Sequence, residues 1–171
     1  MRMQFLIVGV VLLAMPASAV LPETTAFFRL MNNHSDLFAV YPEWFVGSEV
    51  VPMCFSSMPD ITCVAGGSDI QEISLTRSLT GEFQPGEVQF ISQLPLLRKL
   101  SIKNSPSFFF YMPDMSGATL VQRIEIENSG LSGAPPVGLE LCSALTYVRI
   151  THTHLSGTLP SGIAELPNLQ Y

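Results

Sequence analysis

Charge is what this chain has least of: Asp, Glu, Lys and Arg make up 13% of its 171 residues, about half the usual share for a soluble domain. With 47% apolar residues beside it, that composition excludes a disordered chain and describes one built to bury surface. Basic residues are scarcer than acidic ones, 8 against 14, for a net charge of −6. No basic stretch exists to neutralise phosphates, so nucleic acid is not an expected partner. Only three histidines are present, none between Ser35 and Thr151, and the cysteines therefore lack the company a zinc site needs. No Ser-His-Asp or Cys-His arrangement stands out, so neither a catalytic residue nor a cofactor is expected.

An apolar run long enough to cross a bilayer is missing from the start of the chain. The stretch from Phe5 to Met15 holds 11 residues, far short of the roughly 20 that a spanning helix requires. Preceded by Arg2 and followed by Ala17, Ser18 and Ala19, it reads as a secretory signal cleaved after Ala19. Removing residues 1–19 leaves 152, one domain's worth, and moves the net charge to −7. Membrane contact is then expected only through an anchor that this sequence does not contain.

There are just three cysteines. In an oxidising compartment Cys54 and Cys63 are close enough to close a small disulfide loop, which leaves Cys142 over. Asn33-His34-Ser35 is an acceptable N-glycosylation signal. His152 and His154 flank Thr153 with no carboxylate at hand, and read as solvent-facing loop residues rather than metal ligands.

What the chain does have is a repeat. Leu97, Leu100 and Ile102, then Val121, Ile124 and Ile126, then Leu145, Val148 and Ile150 each follow the pattern L-x-x-L-x-L, at a constant spacing of 24. Leu131-Ser132-Gly133 and Leu155-Ser156-Gly157 continue in step, as do Pro136 and Pro160. Ile70, Ile73 and Leu75, followed by Leu79-Thr80-Gly81, form an earlier copy, and a fifth begins at Leu169 and stops at Tyr171. A six-residue strand cannot bury its apolar side alone, so the copies must stack. The Leu-Ser-Gly and Pro elements are expected to turn the chain out of each strand. Cys142 falls in the register of Leu166 and is expected to be a buried small hydrophobe; a disulfide to a second molecule would need it exposed.

The pattern L-x-x-L-x-L-x-x-(N/T/S)-x-L-x-G-x-x-P at this period resembles the plant-type leucine-rich repeat, over roughly residues 70–171. Where that class usually carries an asparagine bonding backbone across repeats, this chain has Ser105, Ser129 and Thr153, and a hydroxyl ladder is expected in its place. Thr153 through Pro160 also resembles the repeats of the kinetoplastid parasite surface antigens, a secreted or lipid-anchored leucine-rich-repeat family. Thr25 to Phe28, Trp44, Cys54 and Cys63 are similar to that family's cap, although no tryptophan lies between the two cysteines here. The resemblance implies an α/β leucine-rich-repeat solenoid, with parallel strands inside, short helical or 3-10 segments outside, and a helical N-terminal cap. The divisions are a signal at 1–19, a cap at 20–66 and about four repeats at 67–171, with a fifth begun. Surface display and adhesion without catalysis are implied as well.

Alternate strand positions point along the inner face of such a solenoid. Three columns follow: Glu72, Lys99, Arg123 and Tyr147; Ser74, Ser101, Glu125 and Arg149; Thr76, Lys103, Glu127 and Thr151. Lys103 is expected beside Glu127 and Glu125 beside Arg149. Those charges either pair off and leave a solvated face, or take part in a binding site in which Tyr147 and Arg149 are the best anchors. The run Phe108-Phe109-Phe110-Tyr111 replaces the tight turn of the neighbouring copies, and either fills a gap on the outer side or forms an exposed contact patch. The leading expectation is an extracellular module binding a protein or glycan on its concave face. An inhibitor of a secreted hydrolase and a surface-coat fragment without a specific ligand are the alternatives.

Overall fold

The structure is a computed structural model and describes residues 40, 45–46, 49–50, 60–65, 69–83, 91 and 94–170. The signal at 1–19, the cap helix, Asn33, Trp44 in the cap and Cys54 lie outside the described residues.

Nine strands are described: β1 (Phe45–Val46), β2 (Glu49–Val50), β3 (Ile61–Cys63), β4 (Ile70–Leu75), β5 (Thr80–Glu82), β6 (Lys99–Tyr111), β7 (Arg123–Gly133), β8 (Tyr147–Thr151) and β9 (His154–Leu155). β1 and β2 form an antiparallel hairpin. The main sheet runs β3-β4-β6-β7-β8, antiparallel at β3–β4 and parallel from there on. Register follows the repeat, with Leu100 opposite Ile124 and Val148, and Ile102 opposite Ile126 and Ile150. Parallel stacking of identical units buries Leu97, Val121 and Leu145 completely. Each such side chain contributes roughly 1.5–3 kcal/mol by leaving water. The chain forms 3-10 segments at Leu139–Leu141, between β7 and β8, and at Ser161–Glu165, after β9.

Two backbone signatures repeat with the sequence. Arg98, Gln122, Thr146 and Gln170 each donate an N–H to the carbonyl at the same point of the preceding repeat, at 2.7–2.9 Å. Gln170 also makes an isolated parallel bridge to Tyr147. Asn104, Asn128 and His152, spaced 24 apart, take φ values of 57°, 49° and 54°, the left-handed region that asparagine tolerates best among non-glycine residues.

After that left-handed residue the chain does not leave the sheet. β5, the second half of β6, the second half of β7 and β9 pair side by side as a flanking parallel ribbon. Leu131 and Ser132 continue the strand, and Gly133 at its end takes a φ of 87°, as Gly157 does at 96°, so the glycine ends the strand as expected. In the ribbon Gly133 pairs with Leu155, 22 residues on.

The aromatic run is likewise a strand, at the end of β6. Its side chains alternate, so Phe108 and Phe110 are buried while Phe109 and Tyr111 are exposed. Phe108 meets Phe83 edge-on at 4.6 Å and Phe110 at 5.3 Å, and half of the predicted patch is therefore core. Pro106 explains the irregularity. β6 and β7 are in register through Ser105–Ser129 and resume at Phe109–Gly130, with Pro106 to Phe108 bulged out between. The bulge drives the Phe108 carbonyl to 2.4 Å from where a Cβ on Gly130 would stand, a close approach that only glycine permits.

The predicted hydroxyl ladder forms at one rung. Ser105 Oγ accepts the Leu79 N–H and donates to the Arg77 carbonyl, both at 3.1 Å. Ser129 Oγ is buried with no partner among the described residues. The register Thr80–Ser107 puts Pro106 where Leu79 stands one repeat earlier, and proline has no N–H to donate. At Thr153 the hydroxyl only accepts a long 3.5 Å bond from its neighbour Leu155.

Candidate functional site

The strand registers assemble the inner columns as read from the sequence. Glu72, Lys99, Arg123 and Tyr147 share one row, Ser74, Ser101, Glu125 and Arg149 the next, and Lys103, Glu127 and Thr151 a third. Thr76 follows the end of β4 and belongs to no described pair in that row.

Lys103 stands beside Glu127 and Glu125 beside Arg149 as expected, but one of the ion pairs is exchanged. Glu125 is buried and turns to Arg123 and Lys103, with Lys103 Nζ at 3.2 Å. It is not paired with Arg149. Arg149 Nε instead lies 3.0 Å from Glu127, which also holds Lys103 at 3.6 Å. Glu125 and its row neighbour Ser101 are buried, while Arg149 at the end of the same row is exposed. Lys99 meets Glu72 at a looser 3.8 Å. The hydrogen bond from Arg123 holds the Glu125 carboxyl below the usual carboxylate range against the opposing effect of burial. The same bond raises Arg123, and a hydrogen bond with Tyr147 raises Arg149.

Tyr147 sits between two arginines. The Arg123 guanidinium lies 4.0 Å from its ring centroid, a stacking distance, and Arg149 reaches it from two residues along the same strand. The two arginines are among the more exposed side chains on this face.

Other predicted sites are placed as follows. Cys63 is disulfide-bonded and Cys142 carries a free, buried thiol. Burial, with Glu140 nearby, pushes the Cys142 thiol up to about 11, and its sulfur faces the carbonyls of Ala118, Gly138 and Met115 at 3.6–3.8 Å. It occupies the buried column with Leu94 and Ala118, as its register required. His152 and His154 are exposed, though His154 lies in β9 and not in a loop. Two features were overlooked in the sequence: the Asn104–Asn128 spacing that marks the left-handed bend, and Pro106 inside a run of strand formers.

Comparison with known proteins gives the same architecture. Neither a protein-family model nor a curated protein matches the chain. Among solved structures, the crystal structure of PEPR1-AtPEP1 superposes with a TM-score of 0.65 at 20% identity, covering 86% of this chain and 20% of that one. The BIR3–SERK2 complex from Arabidopsis thaliana gives 0.64 at 19% identity, covering 84% and 76%. The ectodomain of the receptor kinase SOBIR1 from Arabidopsis thaliana gives 0.50 at 18%, covering 81% and 90%. This chain thus spans about a fifth of the first of these. Sequence period, strand register and these superpositions agree on the fold: the chain is a parallel-strand solenoid like the leucine-rich-repeat ectodomains of these structures.

Proposed function

We propose that this chain is an extracellular or cell-surface binding module that takes a protein ligand on its concave face and performs no catalysis. The observation that carries the reading is the Arg123–Tyr147–Arg149 cluster on the parallel sheet, with Tyr147 half-buried between two solvent-accessible guanidinium groups. Tyrosine and arginine dominate binding hot spots because they combine large contact area with directed hydrogen bonds. Residues 1–19 have the composition of a secretory signal, and Cys63 is disulfide-bonded, which suits an oxidising compartment. The fold is shared with ectodomains solved as complexes. Kinship with the kinetoplastid surface antigens belongs to the same proposal and rests on the Thr153 to Pro160 stretch. A hydrolase inhibitor would use the same face and would show saturable inhibition.

A random peptide library selected against the immobilised full chain tests this reading without presuming a ligand. Selected peptides should lose binding to a folded Tyr147→Ala/Arg149→Ala double variant. Peptides that bind both proteins alike would move the site off the concave face.

A further inference from the structure

We propose that the concave face takes an acidic peptide in extended form, its carboxylates bound by Arg123 and Arg149 around Tyr147. This rests on the concave-face reading above and names the chemistry of its ligand.

The protein as a whole carries a charge of −6, yet this face is locally inverted. Among its described residues the columns hold four cations, Lys99, Lys103, Arg123 and Arg149, against three anions, Glu72, Glu125 and Glu127. Exposure sharpens the inversion around Tyr147. The Glu125 side chain is 9% exposed and that of Glu127 27%, whereas Arg123 is 43% and Arg149 52% exposed. Glu72, one strand further from Tyr147 than Arg123, is the exposed acid of the columns and is paired with Lys99, so around Tyr147 a molecule arriving from solvent meets more guanidinium than carboxylate.

The contacts already made leave the arginines able to take more. Arg149 meets Glu127 through Nε, the inner side of its fork, and Arg123 meets Glu125 through one terminal nitrogen while its plane rests on Tyr147. Guanidinium carries five N–H donors and matches a carboxylate bidentately, with a strength that a neutral partner does not supply. Spacing favours a peptide. Arg123 and Arg149 are one strand and two residues apart in register, which puts their Cα atoms about 8 Å apart. Carboxylates two residues apart on one side of an extended chain lie about 7 Å apart, within reach of both side chains.

Long-range attraction does not assist such a ligand, because the rest of the protein repels it. Binding then depends on cations within a Debye length, about 8 Å at physiological salt, and single-residue changes should be visible. Fluorescence anisotropy of the full chain with two labelled eight-residue probes tests this: one alternates Ser and Glu, the other Ser and Gln. The Glu probe should bind at least tenfold more tightly than the Gln probe. Arg149→Gln should cost about tenfold, while Arg98→Gln, an exposed cation just outside the columns, should change binding less than twofold; circular dichroism verifies that both variants fold.

Equal binding of the two probes, no binding of either, or equal losses from Arg98→Gln and Arg149→Gln would overturn the inference. So would binding of a heparin fragment with none of the Glu probe, since the anion site would then belong to a polysaccharide. Failure here is separable from failure of the proposed function. Library peptides without acidic residues that still depend on Tyr147 would leave the concave face standing and remove only its acidic ligand.

Discussion

Ser105 and Ser129 occupy the same position of adjacent repeats, yet replacing each by alanine should have opposite consequences. Ser105 Oγ accepts from the buried Leu79 N–H and donates to the Arg77 carbonyl. Ser105→Ala leaves that N–H buried without an acceptor, an orphaning that costs about 1–3 kcal/mol. Ser129 Oγ is buried and unpartnered already. Removing it relieves a desolvated hydroxyl, and Ser129→Ala should be neutral or stabilising by up to about 1 kcal/mol. Urea unfolding of the full chain, followed by far-UV circular dichroism at constant m, reads both changes as midpoint shifts. Pro106→Ala supplies the missing donor, so in that background Ser129→Ala should become destabilising, a coupling that a double-mutant cycle isolates. Equal losses at Ser105 and Ser129 in the parent protein would refute the assignment of the broken rung to Pro106.

Gly130→Ala should destabilise by about 1–3 kcal/mol through overpacking against the Phe108 carbonyl, measured by the same unfolding curves. Glu125 has its folded pKa depressed, so its contribution is present above the ordinary carboxylate range and lost as pH falls through the folded value. Glu125→Gln should flatten the acid limb of a plot of thermal midpoint against pH, with no change in slope near pH 7. The Cys142 thiol, buried and raised to about 11, should react with a disulfide reagent at pH 8 only as fast as the protein unfolds; prompt reaction in the native state would contradict its burial.

Much of the molecule was legible because one physical requirement repeats. A strand that cannot bury its own apolar side forces identical neighbours into register, so a period of 24 in Leu97, Val121 and Leu145 fixed the ladders, the inner columns and the burial of Cys142. The columns were read residue by residue, and the strand registers align all of them but Thr76 in that order. Events between repeats, at positions where the copies differ, followed no such rule. Around Pro106 the register shifts, Phe108 is buried, the Phe108 carbonyl closes on Gly130 and the Ser129 hydroxyl lacks a partner among the described residues. Each of those effects passes through a neighbouring strand.

Partner choice among the charges was tertiary as well. Spacing placed Glu125 beside Arg149, and register keeps it there, but its carboxylate turns to Arg123 and Lys103 while Arg149 turns to Glu127. The sequence alone determined a stack of parallel strands with a polar inner face, because periodicity and alternation are properties of the chain. Which of those polar groups are buried and spent on each other, and which stay outside to meet a ligand, only the tertiary structure decided, because burial is set by neighbours that the local sequence does not contain.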